Sequence, residues 1–462
     1  MSFAMRLPLH SDIGRLQTYL PRFVAMIGVK AWDKRATALL QQARGTAFQS
    51  YVVERYHWLE LELAYLRRWR QKAGGLSPRM ESAASTSALR FAATCVEIDA
   101  RLNPRGRAEL RGRLRDALKS DGGFAPLYIE VLHAAALSSH GFEIDLPDLE
   151  KSARYDVEGE RNGTVFTIEC KHISADAGRR IHQKDFYRII HELFDTLVPP
   201  GSARAVPAII LITLDDRLPA ADASRRAIAG AVRQIVNEPL ETRVRGAFFE
   251  VAKLSYAANF GFDPITDRTI FRERAQELFG ANCHAVTTAD QYAGLTIVMR
   301  SLVEDDHTKP QLEALKAAAR QLPTDKTAFV AVQFDDLDFS ELLYPHVAER
   351  LQMVANYFFA TRDSAHIGAV VFSAYRPSRR IDPVNEWNPL VVCWNPAFNE
   401  EFKTGLPFQS EIDMQIARSI SDTTRSRRAT RAEFNRSPSS ASYRRRAVRR
   451  RRQRGQLARR PS

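Results

Sequence analysis

The chain has 462 residues, 45% of them apolar and 26% charged, with a net charge of +13. That length accommodates two or three domains, or one large α/β domain with additions, and no run approaches the ~18 apolar residues of a membrane span. Sixteen arginines against two acids from Arg418 to Ser462 give that segment +14, while the rest sets 51 bases against 52 acids, a balance of −1. Basicity is thus a property of the tail, and a global charge argument for nucleic-acid binding by the body is excluded.

The opening MSFAMRLPLHSDIGRL shows neither a continuous apolar stretch nor a small-residue cleavage pattern, so the expectation is an unexported, cytoplasmic protein. Cys95, Cys170, Cys283 and Cys393 form no CxxC pair. That argues against a zinc knuckle or a disulfide framework and for reduced thiols.

Residues 1–74 read as a helical region, with dense apolar positions and good helix formers in LQQARGTAFQSYVVERYHWLELELAYLRRWRQK. Gly74-Gly75-Leu76-Ser77-Pro78 breaks the pattern, and 75–87, ending in ESAASTS, reads as a linker. A helix is expected over 88–102. Asn103-Pro104 then offers an N-cap followed by proline at the first helical position, opening a helix to about Ser120. From Pro126 the order reads helix (126–139, stopping at Gly141), FEIDL, two strands joined by a turn, helix (about 179–197), and the strand AIILITL (208–214). Such an α-β-β-β-α-β order predicts a mixed sheet flanked by helices, assigned here to 88–254. Further strands are expected at 246–254, 295–302, 327–334, 367–375 and 390–394, with a helix at 309–322. Whether 255–417 extends the first sheet or forms a second domain is left open. The tail 418–462 is Arg, Ser and Ala with few apolar residues, a composition that predicts disorder.

The stretch YDVEGERNGTVFTIECKH (155–172) has the most chemistry in it. Asn162-Gly163 is the strongest two-residue hairpin signal, because both positions tolerate positive φ. With that turn, Arg161 faces Thr164 and Asp156 faces Glu169. Opposed residues have Cβ atoms roughly 4.5–5.5 Å apart, and two carboxylates so placed repel unless a cation intervenes. Alternation puts Thr167, Glu169 and Lys171 on one face with Asp156 and Glu158, and Phe166, Ile168 and Cys170 on the other with Tyr155 and Val157. The first face is expected to be charged and the second to be core. A one-residue slip would exchange the faces, so the pattern itself argues for the register. Magnesium takes oxygen ligands and keeps several waters. Asp156, Glu169 and the Cys170 carbonyl are the expected donors, with the Lys171 ammonium beside them to orient water or stabilise charge on a phosphate.

This arrangement resembles the PD-(D/E)xK nuclease superfamily, whose fold is restriction-endonuclease-like. The matching residues are Asp156 and the Glu169-Cys170-Lys171 triplet, led in by an apolar strand. The resemblance implies an acidic pair binding Mg²⁺ (or Mn²⁺), a lysine assisting water attack, and a nuclease acting on nucleic acid, DNA before RNA and endonucleolytic before exonucleolytic. It covers about 125–215. Tyr155 stands where the family name has proline, and a literal Pro147-Asp148 lies upstream, which makes Asp148 the rival ligand should the register differ. A second triplet, Glu401-Phe402-Lys403, has no apolar strand before it and is set aside. The competing reading of the hairpin is a solvated charged face with a Glu169–Lys171 surface pair.

Glu130 is the only charged residue between Gly122 and Gly141. By resemblance it is a candidate for a second metal or its water; an arginine partner from the N-terminal helices is the alternative. His133 is expected to be an interior histidine. After the triplet, Arg179, Arg180, Lys184 and Arg188 lie in the early turns of the expected helix, as phosphate contacts or a solvated face. Gln183 and Tyr187 share a helical face and are similar to the QxxxY pattern of RecB-like members of the superfamily. The arginine tail suits any polyanion. This leaves two rivals: an inactive nucleic-acid-binding protein of the same fold, and a packaging protein acting through the tail. No P-loop occurs, so ATP-driven translocation is not expected. No membrane partner is expected, and a homodimer is compatible with the sequence.

Overall fold

The computed structural model describes residue 7 and residues 13–45, 47–73, 82–174, 176–193, 207–261, 268–280, 282–287, 295–338, 342, 345–376 and 391–398. The Arg-rich tail, the triplet 401–403, most of the chain's opening and the glycine-bearing stretch 74–81 lie outside the described residues.

The chain up to residue 139 is helical as expected: α1 (Ile13–Ile27), α2 (Val29–Gln42), α3 (Ala47–Tyr56), α4 (Trp58–Ala73), α5 (Ala83–Arg101), α6 (Pro104–Ala117) and α7 (Ala125–Ser139). Helix α5 begins inside the expected linker, because Ser82 caps it by accepting from the Ser85 N–H at 3.1 Å. Helix α6 starts where the Asn-Pro pair places it, with the Asn103 side chain accepting from Gly106 N–H at 2.8 Å. These helices do not form a separate core. Phe23, Trp32, Leu59, Phe91 and Phe124 belong to one apolar cluster with Phe166, Ile168 and Phe329 of the first sheet.

That sheet has the order β1 (Glu143–Asp145), β2 (Val157–Arg161), β3 (Thr164–Ile173), β9 (Thr327–Asp338), β10 (Ile367–Arg376), β11 (Val391–Trp394), with a short helix α8 (Pro147–Glu150) between β1 and β2. Strands β1, β2 and β3 form an antiparallel meander, and β9 runs parallel to β3. The hairpin register is the expected one, with Arg161 opposite Thr164 and Val157 opposite Ile168. Asn162 (φ 54°) and Gly163 (φ 78°) both take the left-handed conformation of a type I′ turn.

The strand AIILITL does not join this sheet. It is β4 (Ala208–Leu214), central in a second sheet of order β5 (Arg243–Arg245), β6 (Phe249–Ser255), β4, β8 (Leu295–Ser301), β7 (His284–Thr287). Its apolar run is explained by cover on both faces. Ile210, Ile212 and Leu214 pack with α9 (Gln183–Glu192) and α10 (Asp222–Ile235), while Ile209 and Leu211 pack with residues following α11 (Tyr256–Phe260), on α12 (Arg268–Phe279). The strand parallel to β3 comes instead from residues 327–338, after α13 (Thr308–Ala319), with α14 (Pro345–Phe359) on the same face. The molecule is thus mixed α/β with two sheets, and the expected boundary near residue 254 does not separate them.

The chain crosses between the two sheets after β3, through residues 176–182, and returns from β8 through the segment 302–307. These two crossings are docked on each other: Asp306 N–H donates to the Gly178 carbonyl at 3.0 Å and Arg180 N–H to Asp305 Oδ1 at 2.7 Å. A Cβ on Gly178 (φ +86°) would stand 1.9 Å from the Asp306 carbonyl oxygen, whereas one on Gly163 would meet nothing within 4 Å. Gly163→Ala is therefore expected to cost about 1 kcal/mol, for the left-handed backbone alone. Gly178→Ala is expected to cost at least twice that, because the strap must also separate. Urea denaturation of both variants measures the difference.

Candidate active site

Strand β2 faces β3 only over residues 164–168, so β3 runs on past it carrying Glu169, Cys170 and Lys171. Asp156 stands at this step. Its N–H donates to the Ile168 carbonyl at 3.2 Å, and its Oδ2 accepts from the Cys170 N–H at 2.7 Å. The Asp156 carboxylate is thereby tied to the middle of the triplet; the paired register ends at Val157 opposite Ile168, so Asp156 stands just outside the ladder rather than opposite Glu169 as expected.

Two expectations about the faces change. The polar face is not solvated: Thr167 is 0% and Glu169 3% exposed. Alternation separates the faces but does not say what covers each. Here Leu315, Ala318 and Ala319 of α13 cover the polar one, packed with Ala328, Val330 and Val332 of β9. Tyr155 also lies on this face, its hydroxyl donating to Glu158, which also accepts from Lys326 Nζ at 2.8 Å. Regular β2 pairing starts at Val157, so alternation does not reach back to Tyr155.

The Glu169–Lys171 contact exists, but as a part-buried pair: Lys171 Nζ donates to Glu169 Oε1 at 2.6 Å and to Gln321 Oε1 at 2.8 Å. Glu169 Oε2 is buried with no hydrogen-bond partner among the described residues. Burial, with the Asp156 charge added, pushes the Glu169 carboxyl up to about 8 despite Lys171. Burial pushes Asp156 up to about 6 against the Cys170 N–H, with Asp148 also raising it and Lys171 and Arg113 lowering it. Glu130, on α7, is held well above the usual carboxylate range by burial and by the charges of Asp156, Asp148 and Glu169. The hairpin acids and the helix acid thus act on one another, as does the rival Asp148.

Glu130 has the arginine partner that was its alternative reading: Arg113 Nη1 lies 3.5 Å from Glu130 Oε2. Arg113 also pairs with Asp148 and, through Nε at 3.1 Å, with Glu109, which Lys151 joins at 3.1 Å. Arg113 and Gln321 were missed from sequence. The Glu109–Arg113 spacing signals a helix pair only, and nothing local connects either residue to the hairpin. His133 is buried, and burial pushes its pKa down to about 4.

The basic residues after the triplet are engaged within the protein. Arg179 and Arg180 precede α9, since the helix begins at Gln183. Arg179 Nη1 is 3.4 Å from His284 Nε2, Arg180 pairs with Asp216 at 3.2 Å, and Arg188 with Asp185 at 3.0 Å. Lys184 Nζ lies 4.2 Å from the centre of the Tyr56 ring. Gln183 Nε2 donates to the Tyr51 hydroxyl at 2.6 Å, and the Tyr51 and Tyr187 rings are 4.1 Å apart. The QxxxY pair thus fastens α9 to α3, leaving Gln183 8% exposed.

Among the described residues no three His, Cys, Asp or Glu side chains are grouped to hold a metal ion. Asp156, Glu169 and the Cys170 carbonyl are all oxygen donors and only two are side chains. They fit a cation that keeps most of its water, as Mg²⁺ does, and the unpartnered, buried Glu169 Oε2 is the atom such a cation would satisfy.

A stability test follows from the raised carboxyls. Unfolded glutamate titrates near ~4.3, so up to about 8 the folded state holds a proton at Glu169 that the unfolded state has lost. Its contribution is fully present below the unfolded pKa and is lost as pH rises through the folded one. With divalent cations chelated, the wild-type melting temperature is expected to fall from about pH 6.5 to about pH 9, and Glu169→Gln to flatten this fall. His133 and His172 act at lower pH, both being pushed down to about 4 by burial. Parallel wild-type and variant profiles above pH 7 would assign the effect elsewhere.

No family model matches this chain, no curated protein matches it, and no solved structure matches it.

Proposed function

We propose that this protein is a Mg²⁺-dependent nuclease hydrolysing phosphodiester bonds, with DNA as substrate and endonucleolytic cleavage, and that its first sheet is a restriction-endonuclease-like core interrupted by the second sheet. The observation that supports this best is the buried Glu169 carboxylate, with one oxygen on Lys171 and the other unpartnered among the described residues, one residue before Cys170, whose N–H donates to the Asp156 carboxylate. The meander β1–β2–β3 with β9 parallel to β3 supports the fold assignment.

Asp156, Glu169 and the Cys170 carbonyl would hold the cation. Bound there, Mg²⁺ supplies Lewis-acid polarisation of a phosphoryl oxygen and a more acidic water. The protein contributes placement. Asp156 is fixed by the Cys170 N–H, and the Lys171 ammonium is aimed by Glu169 and Gln321. An ammonium so held stabilises negative charge developing on a phosphate without reorganising during the reaction. Glu130 is restrained by Arg113, which favours a charge-balancing role there over a second cation site.

A second reading, an inactive nucleic-acid-binding protein of the same fold, is favoured by one observation: Lys171 and Arg113 already pair with the acids of the site. Cleavage of plasmid DNA in Mg²⁺ and in EDTA separates the two readings. Asp156→Asn and Lys171→Met are each expected to lower the Mg²⁺-dependent rate by about 10³-fold, within the range of removed electrostatic and proton-transfer groups. Deleting residues 418–462 is expected to weaken DNA affinity and its salt dependence while leaving the rate at saturating DNA. Wild-type protein that binds but never cuts would sink the enzymatic reading. Loss of all nucleic-acid handling on tail deletion, with Asp156→Asn silent, would favour packaging.

A further inference from the structure

Arg350 lies on α14, among residues that pack into the sheet. Val347, Leu351 and Val354 of that helix share an apolar cluster with Ile173 of β3 and Leu315 of α13. Ile173 alternates with Lys171 and Glu169 along β3, so Arg350 belongs to the face that carries the candidate active site. Its Nε is buried without a hydrogen bond, and its guanidinium makes neither a hydrogen bond nor an ion pair among the described residues. Guanidinium stays charged in proteins and presents five donors in a rigid fork. A part-buried fork with no acceptor is costly unless a ligand completes it.

The surroundings aggravate the cost. Burial, and next the charge of Arg179, push the Arg350 pKa down; Asp305 opposes them. Asp305 has other partners: it accepts from the Arg180 N–H at 2.7 Å and lies 3.6 Å from His307 Nε2. Asp176 Oδ2 accepts from the Gln183 N–H at 2.7 Å, and Asp176 Oδ1 is 3.8 Å from Arg179 Nε. Arg217 Nη2 donates to the Arg179 carbonyl at 3.3 Å, which brings a third guanidinium to the same strap. The strap is held by the Gly178–Asp306 contact and by His307 Nδ1, 3.1 Å from the Ala177 carbonyl. Arg179 and Arg180 thus stand on the strap at the exit of β3, with Arg217 hydrogen-bonded to it.

We propose that Arg350 binds a backbone phosphate of the nucleic acid flanking the scissile bond. The fork matches two phosphate oxygens at once, and the contact positions the strand without reading its sequence. The proposal rests on the nucleic-acid substrate proposed above and extends it to a helix that sequence patterns did not connect with the hairpin.

The test uses the full-length chain carrying Arg350→Met or Arg350→Lys, compared with wild type on a short DNA duplex in EDTA and in Mg²⁺. Because Arg350 has no hydrogen-bond or ion-pair partner to lose among the described residues, Arg350→Met is expected to melt at or above the wild-type temperature. Its duplex affinity is expected to fall about tenfold, and the slope of log affinity against log salt to become shallower by about one. The tail contributes equally to both proteins and drops out of the difference. Arg350→Lys is expected to retain the slope while losing part of the affinity. Wild-type affinity and slope in Arg350→Met would overturn the proposal, as would a marked drop in its melting temperature, which reveals a structural partner. A melting shift with inorganic phosphate that Arg350→Met abolishes, without any change in duplex binding, would assign the site to free phosphate and overturn the nucleic-acid assignment. If Arg350→Met loses duplex affinity but wild type never cleaves, the nuclease reading fails and the phosphate site stands. If wild type cleaves and Arg350→Met does so with unchanged KM, the phosphate site fails and the nuclease reading stands.

Discussion

Glu169 sits out of water with one carboxylate oxygen on the Lys171 ammonium and the other on nothing. A buried charge needs compensation, and one ion pair does not offset its lost hydration when other acids act on it as well. The surroundings of the hairpin make sense as responses to this constraint. Lys171 is held by Gln321 as well as by Glu169, Asp156 takes a backbone N–H, and Arg113 draws Glu130 and Asp148 together on the far side. An arrangement so short of positive charge at its centre is suited to receiving a cation.

The scaffold gives the site its enclosure. Where β2 ends and β3 continues, one flank of β3 has no strand partner among the described residues, and the acids of α7 and α8 act across that step. The other flank is fixed by the parallel strand β9, which places Val330 and Val332 level with Glu169 and Lys171. Helix α13 roofs the polar face with apolar residues and ends near Gln321, which meets Lys171. Desolvation of Glu169 therefore comes from residues more than a hundred positions away in sequence.

The second sheet is threaded between β3 and α13, and its two crossings are strapped to each other. The strap accounts for much of the basic sequence after the triplet: Arg179, Arg180 and Arg217 take part in it, and Gln183 and Tyr187 fasten the next helix to α3. A basic row that reads as phosphate contacts in one dimension is in large part internal wiring. Arg350, whose guanidinium is unpaired among the described residues, comes from an element with no such signal.

What the sequence determined by itself was local. Asn162-Gly163 dictated a type I′ turn, because both residues accept left-handed φ, and the turn dictated the register up to Val157 opposite Ile168. Asn103-Pro104 marked a helix start through capping, and β8 to β11 were visible as apolar runs of strand length. Tertiary structure decided which strands share a sheet. AIILITL is apolar on both faces, so its composition specifies double cover but not its neighbours, and it found them in the second sheet. It also decided that the polar face of β3 lies under α13 and that Arg113 meets Glu130. Alternation, turns and caps are written in adjacent residues, whereas burial, charge pairing and strand neighbours depend on segments brought together only by the fold.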